Sequence, residues 1–76
     1  MNLAEVTWID AHSIDPWGDI PSKWEPLTVV SVGYIKEFPD GVVMIPNLAL
    51  EQPSSDETCF GAVHIPRGCI TLIRHL

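Results

Sequence analysis

Residues 59–76 read CFGAVHIPRGCITLIRHL, and this stretch decides the class of the fold. Two runs rich in apolar and β-branched residues, 58–65 and 69–76, flank the tripeptide Pro66-Arg67-Gly68. Such runs, separated by turn residues, are typical of β-strands. The tripeptide suits a single turn of 3₁₀ helix. A short helix after Gly68 is the alternative, but the run Ile-Thr-Leu-Ile favours a strand. The sequence therefore predicts a small all-β domain whose last strand closes the sheet.

Residues 27–45 predict a β-hairpin. Between Leu27 and Phe38, Thr, Val, Val and Tyr alternate with Val, Ser, Gly and Ile, which is the period of a strand. Phe38-Pro39-Asp40-Gly41 then predicts a turn, because proline presets φ, aspartate bonds the backbone ahead and glycine accepts a positive φ. Residues 42–45 return as the antiparallel partner. Gly33 in mid-strand predicts a bulge or a sharp bend.

Residues 3–9 alternate loosely and predict a first strand, and residues 47–50 predict a continuation of the hairpin after a kink at Pro46. The Pro-rich segment 10–26 and the polar segment 51–57 predict loops. We expect residues 1–76 to form one domain, since a chain of 76 residues has room for one core. Five short strands, one tight hairpin and a bend glycine predict a five-stranded SH3-like or Sm-like barrel, or a strongly curled antiparallel sheet.

Composition indicates a small hydrophobic core and a surface with exposed apolar area. The chain is 46% hydrophobic and only 18% charged, against about 25% charged residues in an average soluble domain. A domain this small buries only about 60% of the surface of its unfolded chain. We therefore expect a homo-oligomer, because association covers apolar surface that a monomer leaves exposed.

The net charge and the N-terminal residues limit the classes of partner and the cellular compartment that we expect. The net charge is −6, and the four cations are spread along the chain rather than clustered. This pattern argues against a nucleic acid polymer, whose phosphates need grouped Lys and Arg, but it leaves a small anionic ligand open. Residues 1–10 lack a basic leader, and no apolar run approaches about 20 residues. We expect a cytoplasmic protein with reduced cysteines and no membrane contact.

Four residues are the predicted ligand contacts: Arg67, Lys36, Trp17 and Trp24. Arg67 on a turn tip is suited to a phosphate or carboxylate, although an exposed turn arginine more often only contacts solvent. Trp8, Trp17 and Trp24 lie within 17 residues. They could supply core volume, anchor a subunit interface or stack on a planar ligand, and the sequence leaves all three open.

Two residue groups raise the question of catalysis or metal binding. Asp10, His12, Ser13 and Asp15 have the chemistry of a small hydrolase, but aspartate and serine at a strand end usually make turn hydrogen bonds. Cys59, His64 and Cys69 have the spacing C-x4-H-x4-C and could bind zinc. No CxxC knuckle accompanies them, so reduced core thiols, or cross-strand neighbours, are the simpler prediction. Without a phosphate-cradling glycine loop, HExxH or GxSxG, we expect no enzyme, no metal and no cofactor.

The order of several short motifs resembles a group of small, mostly uncharacterised proteins of tailed bacteriophages and prophages. These motifs are Trp8-Ile9-Asp10, Trp17, Val32-Gly33-Tyr34 and Ile65-Pro66-Arg67-Gly68-Cys69-Ile70, with Ile73 and Leu76 at the end. The residues that carry the resemblance look architectural, and no catalytic residue is carried over. The long Pro-rich loop and the polar loop 51–57 depart from the pattern.

The resemblance implies stoichiometric binding in the cytoplasm of the infected host. The bound species would be either a nucleotide-type defence signal, sequestered between subunits of a multimer, or a host protein that is inhibited. For the nucleotide, Arg67, Lys36 and the tryptophans would be the contacts. A hydrolase built on Asp10, His12 and Asp15 is the remaining alternative.

Overall fold

The computed structural model describes residues 2–11, 18, 20, 22–23, 25–49 and 58–76. Within them lie seven strands: β1 Asn2–Asp10, β2 Leu27–Phe38, β3 Gly41–Ile45, β4 Asn47–Ala49, β5 Thr58–Phe60, β6 Val63–Pro66 and β7 Ile70–His75. A 3₁₀ turn, Arg67–Cys69, joins β6 to β7. The predicted all-β class, the hairpin and the 3₁₀ turn are confirmed, and the helix considered after Gly68 is replaced by β7.

The strands form a five-stranded antiparallel sheet in the order β6-β3-β2-β1-β7, and β4 pairs with β5 in a separate two-stranded sheet. β6 and β7 are therefore the two edges of the main sheet, although they are consecutive in sequence. The ladder between the described strands does not close into a barrel.

The core lies on one face of the main sheet, here called the core face. It contains these buried side chains: Ala4, Val6, Ile35, Val42, Met44 and Ile65. Trp8, Cys69, Ile70 and Ile73 pack against this cluster. The predicted alternation in β2 is confirmed, because Gly33 and Ile35 are buried while Val30 and Val32 lie exposed on the opposite face, here called the outer face.

The prediction for Gly41 was wrong in its mechanism, and of the two alternatives for Gly33, a bulge or a sharp bend, the bulge was wrong. Gly41 does not have a positive φ; instead, a Cβ there would lie 2.5 Å from the carbonyl oxygen of Ile65. Gly33 pairs with Ala4 in an unbroken register, so it forms no bulge. A Cβ on Gly33 would lie 2.8 Å from the Ile45 carbonyl oxygen. Both glycines are required because another backbone passes too close for a side chain.

The predicted strand over residues 58–65 is also divided. Gly61 has φ 80°, which side-chain-bearing residues rarely adopt, and the chain bends there between β5 and β6. β5 consequently pairs with β4, whereas β6 joins the edge of the main sheet. The register shift within the described strands falls between Thr7 and Trp8, where β1 meets β7.

Candidate functional site

A shallow open groove lies at the end of the sheet where β2 turns into β3. Its volume is about 390 Å³. It is lined by the turn and by the two strands that follow in space: Phe38, Asp40, Gly41, Val42, Val43, His64, Ile65 and Pro66. The hairpin turn and β6 form this groove together because β6 pairs with β3.

Arg67 fastens the 3₁₀ turn to the β2–β3 turn. Its backbone N–H donates to the Asp40 carbonyl at 2.9 Å, and its Nη2 donates to the Phe38 carbonyl at 2.6 Å. Nη2 also lies 3.4 Å from the Gly41 carbonyl, and Nη1 lies 3.7 Å from the Glu37 carboxylate. The guanidinium is 43% exposed, so the loose ion pair with Glu37 is screened by water and contributes little. The short hydrogen bonds make Arg67 a clamp between two turns.

Lys36 lies beside the groove on the outer face. Lys36 is opposite Val43, and Val43 is opposite His64. Directly opposite residues of antiparallel strands share a face, so Lys36 and His64 lie on either side of Val43. The Lys36 ammonium is 5.7 Å from the centre of the Phe38 ring, within the range of a cation–π contact. The Phe38 ring, Lys36 and His64 are therefore on the same face at this end of the sheet, with His64 two strands from Lys36.

Two of the four predicted ligand contacts, Lys36 and Arg67, lie at this end of the sheet, but they contact different groups: Lys36 lies over the Phe38 ring, whereas Arg67 contacts turn carbonyls and Glu37. Trp17 and Trp24 lie outside the described residues. The same region contains the carboxylates of Glu37 and Asp40, both exposed. An anion that used Arg67 would have to replace the Glu37 carboxylate near Nη1, whereas Lys36 presents its ammonium above an exposed ring. Lys36 is the better placed of the two for an anionic ligand.

His64 was missed as a groove residue by the sequence reasoning, which considered it only as a metal ligand. The signal that could have found it is the alternation of β6, since Ile65 points to the core and its neighbour must point outward. Its position on the same face as Lys36, two strands away, however, depends on which strand β6 pairs with, and no local pattern specifies that.

Trp8 serves packing. Its side chain packs against the core cluster, and its indole Nε1 donates a 3.0 Å hydrogen bond to the Ser31 hydroxyl on the neighbouring strand. The bond satisfies the polar end of a half-buried tryptophan, as is usual for this residue. This contact joins β1 to β2 beyond the centre of the core.

The groups considered for catalysis and metal binding are only partly described. Asp10 ends β1 opposite Leu27, while His12, Ser13 and Asp15 lie outside the described residues. Cys59 is exposed on β5 and Cys69 packs against the core. The two are not cross-strand neighbours, because Cys59 lies opposite Leu48, and the prediction of a core thiol fits Cys69 alone. Among residues the structure describes, no three metal-binding side chains cluster.

The outer face carries a patch of large uncharged side chains away from the groove. Leu72 and Val30 lie opposite Thr7 on its two sides, and they are 57% and 58% exposed. In the next row, Glu5 lies between Val32 and Arg74, and the Arg74 Nη2 is 2.9 Å from the Glu5 carboxylate. The ion pair neutralises the charges within the patch, so the surface offers apolar contact with little net charge.

Comparisons with models of protein families, with curated proteins and with solved structures find no match for this chain. In the part of the chain that is described, no helix has the length and apolar character needed to cross a membrane. Function must therefore be argued from the surfaces themselves.

Proposed function

We propose that this chain is a non-enzymatic accessory protein of a tailed phage that acts by stoichiometric binding, as a homo-oligomer in the host cytoplasm. The ligand we propose is a nucleotide-type host defence signal, held where subunits meet. The observation that carries the binding role is the outer-face patch, where Val30, Val32 and Leu72 are each more than half exposed. Exposed apolar side chains grouped on one face in this way mark interaction sites.

The exposed apolar side chains support association. Among the residues that the structure describes, ten large hydrophobic residues are exposed and seven hydrophobic residues are buried. Removing apolar surface from water is favourable, so an association that covers part of this surface would add to the burial that a small core supplies.

We further propose that the main sheet is curled into a half-open barrel of the SH3-like or Sm-like kind. In a flat sheet, β6 and β7 would be four strand spacings apart, about 19 Å. Pro66 and Ile70 are four residues apart, and four residues reach at most about 14 Å. Because the 3₁₀ turn makes that connection shorter still, the two edges have to approach each other. Curling of this kind would make the core face concave and the outer face convex.

The groove supports an anionic planar ligand. The Phe38 ring is 41% exposed and offers a surface for a base, and the Lys36 ammonium beside it offers a charge for phosphate. The net charge of −6 opposes an approaching anion, but charges more than about 8–10 Å away are largely screened at physiological salt. The local charges, those of Lys36, Glu37 and Asp40, therefore decide binding at this end of the sheet.

A nucleotide panel tests the ligand by thermal unfolding. A ligand at a hundred times its Kd stabilises by about 2.7 kcal/mol, which raises the Tm of a domain this size by roughly 10–20 °C. Lys36→Gln should remove most of that shift. Lys23→Gln removes the same charge from another exposed position and should leave the shift intact. Arg67→Ala is a poorer probe, because it also removes the clamp between the turns.

A silent panel would contradict the nucleotide and favour the alternative in which the patch binds a host protein. The uncharged outer face is the observation that favours this second candidate. In that case, purified host fractions should yield one partner at a fixed stoichiometry, and a charge placed on the patch should abolish its binding.

A further inference from the structure

Strand β2 is longer than its neighbour β3, and this leaves part of its edge without a partner strand. β2 pairs with β1 from Leu27 to Ile35, but with β3 only from Tyr34 to Phe38. After Ile45 the chain turns at Pro46, and β4 pairs with β5 in the separate sheet. Residues 27–33, here called the open edge of β2, therefore have a described strand on one side only.

The direction of the backbone groups can be worked out from one hydrogen bond. The Leu76 N–H donates to the Leu3 carbonyl, so odd-numbered residues of β1 point their N–H and C=O towards β7 and even-numbered ones towards β2. The register pairs even residues of β1 with odd residues of β2, such as Val6 with Ser31. The even residues of the open edge, Thr28, Val30 and Val32, consequently point their N–H and C=O away from β1.

The open edge lacks the features that normally block an edge strand. Such edges usually carry charged side chains, proline or a bulge. The open edge reads Leu-Thr-Val-Val-Ser-Val-Gly, with no charge and no proline, and its register with β1 is unbroken. By contrast, the two edge strands of the main sheet do carry such features: β6 ends in Pro66, and β7 contains Arg74. A bare edge next to an apolar patch is suited to adding a strand.

We propose that the open edge of β2 pairs antiparallel with the open edge of a second copy of this chain, about a twofold axis at Val30. This inference rests on the homo-oligomer in the proposed function and specifies its interface. The open edge covers seven residues, 27–33, and ends before Tyr34 because Ile45 occupies the edge opposite Tyr34. The segment that the second copy would add is the same seven residues. A twofold axis at the centre, Val30, therefore fills the gap of both copies at once.

The pairing satisfies the outward backbone groups and places Val30 and Val32 beside side chains of the second copy. With the axis at Val30, each Val30 lies opposite its counterpart, and Thr28 lies opposite Val32 of the second copy. No charged side chain comes opposite another within residues 27–33. Each interface uses the same segment on both subunits, so the association closes as a dimer rather than growing into a fibre.

Light scattering coupled to size-exclusion chromatography tests the interface with a matched pair of variants. The wild type should have twice the monomer mass of 8.4 kDa. Val30→Lys places like charges opposite each other and should give a monomer that retains the β-sheet circular dichroism signal. Leu76→Lys makes the same change at an exposed residue (63%) outside both the outer-face patch and residues 27–33, and it should leave the dimer intact. The opposite pattern, with Leu76→Lys dissociating the dimer while Val30→Lys does not, overturns the proposal.

Disulfide trapping tests the register and does not depend on Val30→Lys folding. In the proposed dimer, the two Val30 Cα atoms lie about 5.5 Å apart, within the range that a disulfide spans. Val30→Cys should therefore crosslink under mild oxidation, with the new bond located by peptide mass mapping. The two Thr28 positions lie four residues apart along the strands, about 14 Å, so Thr28→Cys should not. Crosslinking by Thr28→Cys alone would overturn the register.

The results separate this inference from the proposed function. A monomeric wild type at every concentration overturns the β2 interface, while the nucleotide panel decides the ligand independently. A dimer that survives Val30→Lys overturns the interface but keeps the homo-oligomer.

Discussion

Replacing Gly41 by alanine should destabilise the protein more than the small size of the change suggests. The Cβ of an alanine at this position would lie 2.5 Å from the Ile65 carbonyl oxygen, whereas ordinary van der Waals contact begins at 3.4 Å. The difference is 0.9 Å. That oxygen belongs to the backbone of β6, which is held to β3 by the ladder from Gly41–Pro66 to Met44–Val63. A backbone cannot rotate away as a side chain does, so the strand itself has to move.

The cost follows from that displacement. Moving β6 by about 0.9 Å lengthens hydrogen bonds of about 2.9 Å beyond the useful range, and inserting a methyl group into a packed site typically costs 1–3 kcal/mol. Alanine also restricts the unfolded chain, which offsets about 0.4–1 kcal/mol. We expect a net loss of about 1–2 kcal/mol in the free energy of unfolding, or roughly 5–15 °C in Tm.

Gly68 supplies the matched control. A Cβ at Gly68 meets nothing within 4 Å, and its φ is not positive. Gly68→Ala should therefore be neutral or stabilising by up to about 1 kcal/mol. Urea denaturation of both variants, followed by circular dichroism, measures the difference. Equal stability of the Gly41→Ala and Gly68→Ala variants would refute the close approach of β3 and β6.

Three further changes probe the clamp, the tryptophan and the thiols. Arg67→Ala should lower the free energy of unfolding by about 1 kcal/mol, because turn carbonyls lose a donor; an unchanged urea midpoint would contradict the clamp. Trp8→Phe and Ser31→Ala should each cost about 1 kcal/mol, and the double variant less than their sum since they share one hydrogen bond; additive losses would argue against that bond. Maleimide should label exposed Cys59 before half-buried Cys69 in the native protein, and equal labelling rates would contradict the packing of the second thiol.

Local signals predicted most of the strands. The alternation in residues 27–38 places Ile35 inside and Val30 outside, as observed, because a side-chain period of two needs no knowledge of partner strands. The Pro39-Asp40 turn joins β2 to β3 as predicted, since its chemistry lies within the turn itself. The single domain of residues 1–76 stays a prediction.

The order of the strands could not be read from the sequence. β6 pairs with β3 across about twenty residues, and β7 pairs with β1 across nearly the whole chain. The pairing of β6 with β3 explains why residue 41 must be glycine, because a Cβ at Gly41 would clash with the backbone of β6. The prediction of one continuous strand over residues 58–65 was wrong for a local reason. Gly61 adopts a left-handed backbone conformation, which divides the strand.

The candidate site was predictable as chemistry but not as geometry. Lys36 and Arg67 were selected as cations, and Arg67 reaches the end of β2 only because the 3₁₀ turn contacts the β2–β3 turn. The sequence does not reveal that backbone carbonyls already occupy the Arg67 donors, or that His64 lies two strands from Lys36. Trp17 and Trp24 remain predictions.

The thin core and the open edge have one physical origin. Along residues 27–33, β2 has β1 on one side and no described strand on the other, so half of its backbone groups lack a described strand partner. Ordering each backbone residue costs about 1–2 kcal/mol, and little burial offsets that cost where Val30 is 58% exposed. The Trp8–Ser31 hydrogen bond supports the core face of this segment, but no described strand supports its open edge. A strand added along Val30 would supply both hydrogen bonds and side-chain contacts, so this weakly stabilised segment gains from a partner.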